Sequence, residues 1–537
     1  MTSPRVRLRP FPGLLATLAL ASSWLPAAER PGAAPISLEE YRALRTQAAN
    51  RPRQVIFNND GNEPVRYARE ATAAALLGPR TAGLAGSQVN AIFYCTWSSG
   101  FSLFTHFTKV GQVFTYREGY FAENRMADFV ARGVDPLRIM TDFGRQHGIE
   151  VFWSLRVNDT HDASSAPYGA PLFQANRFKV AHPEYLMGSA TARPKVGSWS
   201  AVDFSHAEVR DLTFRFCEEV CREYDVAGIE LDFFRHLFLF KSSSRGEACT
   251  PAELAQLTDL MRRIRTMTEQ VGRERRRPFL VAVRVPDSVA YARHVGIDLE
   301  RWLSEGLVDL LVVGGYVQLN PWETSVALAR RHGVKIYPSL DESRVRDDAS
   351  RELRMTNTAT RGRVRNAWAA GVDGIYFFNR FNPADPAWRE SADPQRTSRL
   401  DRDYFVSVRG RGSVPVAHDK FQVAPTLNPQ HPVKLAAGPA ELPLRAAEDF
   451  ARPDPGRTVT LRVRFSPPAQ AAAVQVDLNG TTLPATSAAA DGPWLAFPVD
   501  AKILHPDNTL SVARTAAAPP DLALTDALLS VRYAPAP

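Results

Sequence analysis

The sequence predicts a (β/α)8 TIM barrel followed by a C-terminal β-sandwich, on three observations. Helix-like segments that end in glycine and run into a short apolar stretch recur through the first 400 or so residues. Eight such apolar stretches can be counted. After about residue 385 the helical periodicity stops, and short alternating strands separated by proline-rich turns replace it.

The glycine signal occurs at Gly148-Ile149, Gly228-Ile229, Gly306-Leu307, Gly333-Val334 and Gly371-Val372. Glycine just past a helix provides the left-handed cap without steric cost. The apolar run behind it reads as a strand covered on both faces, as in parallel sheets. The eight runs are 54–60, 90–97, 150–158, 228–234, 279–286, 308–316, 335–340 and 374–379. Between them lie helical patterns. From His206 to Tyr224, residues Val209, Leu212, Phe216 and Val220 form one stripe. The next helix opens Thr250-Pro251-Ala252-Glu253, a capping box with proline at the first helical position. Eight strands alternating with helices indicate the barrel. The alternative, an open doubly wound sheet, lacks a glycine-rich phosphate loop after any strand.

The expected organisation is a leader over 1–28, a barrel over 29–385 and a β-sandwich over 386–537. Arg5, Arg7 and Arg9 precede an apolar run from Leu14 to Leu25 and the small residues Ala27 and Ala28, the form of a secretory signal peptide. That run is shorter than the roughly 20 residues a permanent span needs, so export without a membrane anchor is expected. In the sandwich, strands are expected at 404–408, 458–465, 474–478, 494–499, 509–512 and 529–533.

The formal charge of +8 falls to about +5 without the leader arginines. The basic cluster Arg273 to Arg277 ends a helix, where cations suit the dipole, so no nucleic-acid partner is expected. The four cysteines form no C-x-x-C pair and read as buried packing thiols. No cofactor is expected. A metal site would have to be a calcium set of Asp60, Asp159 and Asp162, and none is assigned.

In such barrels function gathers at the C-terminal ends of the strands. Those ends are polar here: Asn59 and Asp60 on strand one; Trp97 after strand two; Arg156, Asn158, Asp159 and His161 after strand three. Strand four carries Glu230, Asp232, Arg235 and His236, strand five Arg284 and Asp287, and strand six Tyr316. Strand seven ends in Asp341 and Glu342, strand eight in Asn379. Glu230 and Asp232 alternate with Ile229, Leu231 and Phe233, so both point inward, about 7 Å apart. Two carboxylates in a low-dielectric interior drive their pKa values apart, which suits one to stay ionised and the other to hold a proton. Alternatively, Glu230 forms a structural ion pair with Arg284. Asp232, nearer the mouth, is the chemical candidate.

The stretch Gly228 to His236, GIELDFFRH, resembles the fourth-strand motif of the alpha-amylase superfamily through Gly228, Asp232 and His236. That resemblance implies that Asp232 is a nucleophile. Glu230 departs from the motif, standing where that family has arginine, and Asp287 replaces its strand-five glutamate. The segments Asn90 to Gly100, Gly228 to Phe234 and Leu307 to Tyr316 resemble the barrels of exported bacterial proteins called glycosyl hydrolase-like family 10, which implies a glycosidase-type barrel. Val476 to Gly480, with Phe497 to Val499 and Asn508 to Leu510, resembles the jelly-roll modules attached to many glycoside hydrolases.

Together these features lead to an expected carbohydrate substrate and a two-carboxylate hydrolysis, with Asp232 working with Glu342, and Asp341 and Asp287 as the other partners. Glu230, Arg284, Arg156 and His236 would tune charge and hold the sugar. Trp97, Tyr316 and Trp322 would form subsite walls, since aromatic faces stack on sugar rings. His106 and His161 are placed in loops that reach hydroxyls, and Trp153 in the core. The rivals are a non-catalytic carbohydrate-binding barrel and a polysaccharide lyase with a His or Tyr base.

Overall fold

The computed structural model describes residues 34–341, 345–407 and 420–534. The leader and Glu342 lie outside the described residues. Eight strands close into a barrel in chain order: β1 (Val55–Asn59), β2 (Ala91–Tyr94), β3 (Glu150–Arg156), β4 (Gly228–Asp232), β5 (Leu280–Val285), β6 (Leu310–Val313), β7 (Lys335–Leu340) and β8 (Ile375–Phe377). Every neighbouring pair is parallel, and β8 pairs back onto β1. Each expected run holds one strand. Apart from Lys335, every strand residue is buried, which is why the runs read as continuously apolar.

Gly148, Gly306, Gly333 and Gly371 take positive φ values, as capping predicts. Gly228 does not. It opens β4, and a Cβ there would meet the Leu280 carbonyl oxygen at 2.3 Å and the Phe152 ring at 2.6 Å. Its glycine is a matter of strand packing, not of a cap. The capping box is present on the helix Pro251–Glu274, with Thr250 Oγ1 accepting from the Glu253 N–H and Glu253 accepting from the Thr250 N–H.

The barrel core continues to Trp388, which packs edge-on against Phe57 and Phe377. Beyond it, antiparallel strands form two facing sheets. One has the order β9 (Arg402–Phe405), β17 (Ala523–Tyr533), β11 (Arg457–Ser466), β15 (Trp494–Pro498), β14 (Ala489–Asp491). The other has the order β10 (Ala440–Arg445), β16 (Asp507–Arg514), β12 (Val474–Leu478), β13 (Thr481–Leu483). Leu461, Val463, Leu529 and Val531 from the first sheet share one apolar core with Val476, Leu478, Leu510 and Val512 from the second. Strand β10 was not among the expected strands. It contains Pro443, and it lies at a sheet edge, where a residue without an N–H is tolerated.

The two units meet along the helices that follow β7. On the helix Asn357–Ala369, a Cβ at Gly362 would stand 2.2 Å from the Asp403 carbonyl oxygen, so glycine permits the close approach of β9. On the helix Asp348–Met355, Arg354 donates to both carboxylate oxygens of Asp526 on β17, each at 2.8 Å, and to Ser407 Oγ at 2.8 Å. Both side chains are buried. Removing one partner of such a pair leaves an uncompensated buried charge. Asp526→Ala is therefore expected to lower unfolding stability by about 3–5 kcal/mol, read by urea titration of tryptophan fluorescence. Arg354→Met with Asp526→Leu should recover most of that loss, and an unchanged midpoint in Asp526→Ala would contradict this account of the junction.

Candidate active site

The centre of the site follows from strand register. In the parallel ladder, Arg156 on β3, Asp232 on β4 and Arg284 on β5 stand side by side, and Ser154, Glu230 and Ala282 form the level below. Side chains level with one another on neighbouring strands of a barrel point the same way. Asp232 thus has a guanidinium on each side. Arg156 Nη1 donates to its Oδ2 at 2.9 Å and Arg284 Nη1 to the same oxygen at 3.0 Å, while the Phe234 N–H donates to Oδ1 at 3.0 Å. The expected alternative of a Glu230–Arg284 ion pair is not what forms, because Arg284 is level with Asp232.

Arg156 reaches further around the barrel. Its Nη2 donates to Asp60 Oδ1 at 2.6 Å and to Asn58 Oδ1 at 3.0 Å, and its Nε to Cys95 Sγ at 3.3 Å. The Phe378 ring lies 3.8 Å from the Arg284 guanidinium carbon and 5.1 Å from that of Arg156, covering both cations. Gly315 makes room for this packing, since a Cβ would meet the Phe234 ring at 2.3 Å. Tyr316, buried between Phe234 and Phe378, completes the wall.

Glu230 is fully buried. Its Oε2 accepts from Ser154 Oγ and from the Tyr376 hydroxyl, the latter at 3.2 Å, and its Oε1 has no protein partner among the described residues. Burial first, and then the Asp232 charge above it, push its carboxyl up to about 7.

A second polar group stands on the loops beyond β3 and β4. Asp159 Oδ1 accepts from the Gly100 and His161 N–H groups at 2.7 and 2.9 Å. Arg235 Nη2 lies 2.6 Å from His161 Nε2, and His161 Nδ1 lies 2.8 Å from Asp159 Oδ2. A guanidinium can only donate, so Nε2 accepts and Nδ1–H donates to Asp159. Burial would raise the Asp159 carboxyl. The His161 ring and backbone and the Arg235 guanidinium outweigh it and hold the group well below the usual carboxylate range.

The other expected site residues divide by what they touch. Asn158 holds the Val202 N–H and carbonyl, each at 2.9 Å. Asp287 Oδ2 accepts from the Leu319 and Asn320 N–H groups at 2.8 and 2.9 Å. Asn59 binds Glu63 and the Gly61 N–H. His236 Nε2 accepts from the Ser198 N–H at 3.0 Å, and burial pushes its pKa down to about 4. These four shape loops. Asp341 accepts from Asn379 Nδ2 at 3.2 Å, above β7 and β8. Trp322 lies at the junction with the sandwich, lining a cavity of about 240 Å³ with Phe405 and Pro425, rather than beside Asp232.

Trp97 is also not an open wall. It is 3% exposed and stacks on Phe114 with 5.0 Å between ring centroids. Its backbone has φ 89°, a strained value for a bulky residue and one that marks positions the surroundings over-determine. His106, expected in a solvent-reaching loop, is instead buried against Thr96 and Trp153, and burial lowers its pKa to about 3. Ser154, Tyr376 and Phe378 were not expected at the site. Ser154 could have been found from its spacing, two residues before Arg156 on one strand face.

No family model matches this chain, and no curated protein does. The short segments that resemble glycosyl hydrolase-like family 10 therefore have no family match behind them. Among solved structures, the glycoside hydrolase domain of PgaB (BpsB) from Bordetella bronchiseptica is similar over 64% of this chain and 99% of its own, at 12% identity and a TM-score of 0.40. Alpha-L-fucosidase isoenzyme 2 from Paenibacillus thiaminolyticus is similar over 66% of this chain and 51% of its own, at 11% identity and a TM-score of 0.39. A cycloisomaltooligosaccharide glucanotransferase from Paenibacillus sp. is similar over 89% of this chain, at 10% identity and a TM-score of 0.34. This chain covers 57% of that enzyme, less than two thirds of its length. Likeness of this degree carries neither substrate nor mechanism across.

The raised Glu230 has a consequence for stability. The folded protein keeps this proton up to about pH 7, whereas the unfolded chain releases it near the ordinary value of 4.5. Between those values the unfolded state binds fewer protons, so the stabilising contribution is full below about pH 4.5 and is lost as pH rises through 7. The wild type should therefore lose several degrees of Tm relative to Glu230→Gln across this window, measured by calorimetry at a series of pH values. A constant difference between the two proteins would show that Glu230 is not protonated in the folded state.

Proposed function

We propose that this chain is an exported glycoside hydrolase acting on an oligo- or polysaccharide, with Asp232 as its nucleophile. One observation carries the reading: a fully buried carboxylate at the C-terminal end of β4, paired with two arginines above the buried carboxyl of Glu230, whose pKa burial and the Asp232 charge raise to about 7. An ion-paired carboxylate suits the nucleophile better than the acid. In the proposed reaction Asp232 bonds to the anomeric carbon as the glycosidic C–O bond breaks. A second carboxyl protonates the departing oxygen, and water then cleaves the glycosyl–enzyme bond. Glu342, the residue after Asp341 in the sequence, is the proposed proton donor. Asp60 shares the Arg156 guanidinium with Asp232, so their nearest oxygens lie no more than roughly 8 Å apart. Asp60 is itself ion-paired, which fits it for charge stabilisation. The basic and apolar leader supports export.

One observation favours a second reading, a non-catalytic carbohydrate-binding barrel. Both oxygens of Asp232 are already occupied by protein donors.

A glycan library screened for new reducing ends separates the two. Wild type should release reducing sugars, and Asp232→Asn should lose at least about 1000-fold in kcat/KM, as expected when a group acting directly in the chemistry is removed. Glu342→Gln should fail on natural linkages yet retain cleavage of aryl glycosides whose leaving group needs no proton. Binding without turnover in both wild type and Asp232→Asn would sink the hydrolase, and unsaturated products would favour a lyase.

A further inference from the structure

Beside the central carboxylates, three loops on the same face of the barrel gather aromatic rings around one cation. The short helix Glu63–Arg66 directly follows the β1 end that carries Asp60. The guanidinium carbon of Arg66 lies 5.0 Å from the Tyr120 ring centroid, 5.6 Å from Tyr168 and 5.9 Å from the buried Trp97. Tyr120 and Tyr168 are 5.2 Å apart, and Tyr120 is 47% exposed. Arg66 is exposed too, yet it makes no ion pair among the described residues. The rings hold the guanidinium in place while leaving its donors without a carboxylate.

The group is continuous with the site. Tyr168 lies 6.4 Å from the His161 ring, and His161 Nε2 is bound by Arg235, whose guanidinium carbon is 5.6 Å from the Tyr316 ring. The path thus runs from the exposed Tyr120 and the half-buried Tyr168 to the wall that covers Arg284.

We propose that Arg66, Tyr120, Tyr168 and His161 form a binding platform for a carboxylate-bearing glycan strand that leads toward Asp232, a reading that rests on the proposed hydrolase. Tyrosine rings stack on the apolar faces of pyranose rings, and their hydroxyls meet sugar hydroxyls. A pre-positioned guanidinium fits a planar carboxylate bidentately, which selects uronate residues over neutral ones.

The test is affinity electrophoresis of the Asp232→Asn protein through gels containing polygalacturonate, alginate, dextran or xylan, so that binding is read without turnover. One of the acidic polymers should retard the protein and the neutral ones should not. Arg66→Ala should weaken that binding at least 10-fold and Tyr120→Ala at least 3-fold. Both positions are exposed, and circular dichroism checks that the variants remain folded. Equal retardation by neutral polymers, no retardation by any of them, or retention unchanged in Arg66→Ala would overturn the platform. Retention of an acidic polymer that wild type never cleaves would uphold the platform and count against the hydrolase.

Discussion

Two arginines and two carboxylates share the centre of this barrel, and their charges balance. Asp232 lies between Arg156 and Arg284, and Arg156 carries Asp60 on its other nitrogen. A buried charge is tolerated only when paired and hydrogen-bonded, since removing it from water otherwise costs several kcal/mol. A third ionised carboxylate below would have no cation of its own. That is the physical reason for a protonated Glu230: burial and the neighbouring Asp232 both favour its neutral form. Phe378 over the two guanidiniums and the glycine at 315 complete a compartment built for this one arrangement.

The polar strand ends divide into two functions under that constraint. Asp60, Arg156, Asp232 and Arg284 face inward and make the central cluster. Asn59, Asn158, Asp287 and His236 bind backbone groups or neighbouring side chains of the loops above and fix their course. Asp159 belongs to the second group. It ties down Gly100 while it orients His161, whose ring then meets Arg235. Loops held in this way let the aromatic residues at positions 120 and 168 converge on Arg66 although they come from separate segments.

Much of this was legible in the chain. Alternation of polar and apolar residues put Glu230 and Asp232 on the inner face of β4, and the eight buried runs located all eight strands. What alternation within a strand cannot contain is the register between strands. The partner of Arg284 depends on whether β5 is level with residue 230 or 232, and the ladder makes it 232. The same missing register hid Tyr376 from the site, whereas Ser154 follows from its spacing to Arg156 on one strand face. Trp97 and Trp322 have the composition of sugar-binding walls, but burial under Phe114 and at the sandwich junction depends on long-range packing. Strand β10 escaped notice because Pro443 argues against a strand until its edge position is known.

The charge balance at the centre of the barrel depends on which carboxyls are ionised. Infrared difference spectroscopy between wild type and Glu230→Gln, taken across a pH titration, reads the carbonyl stretch of a protonated carboxyl directly. A band present at pH 5, absent from the variant and fading with a midpoint near 7, is the predicted result. Fading near the ordinary carboxylate value of 4.5 would mean that Glu230 is ionised in the folded protein, and the balanced cluster around Asp232 would be contradicted.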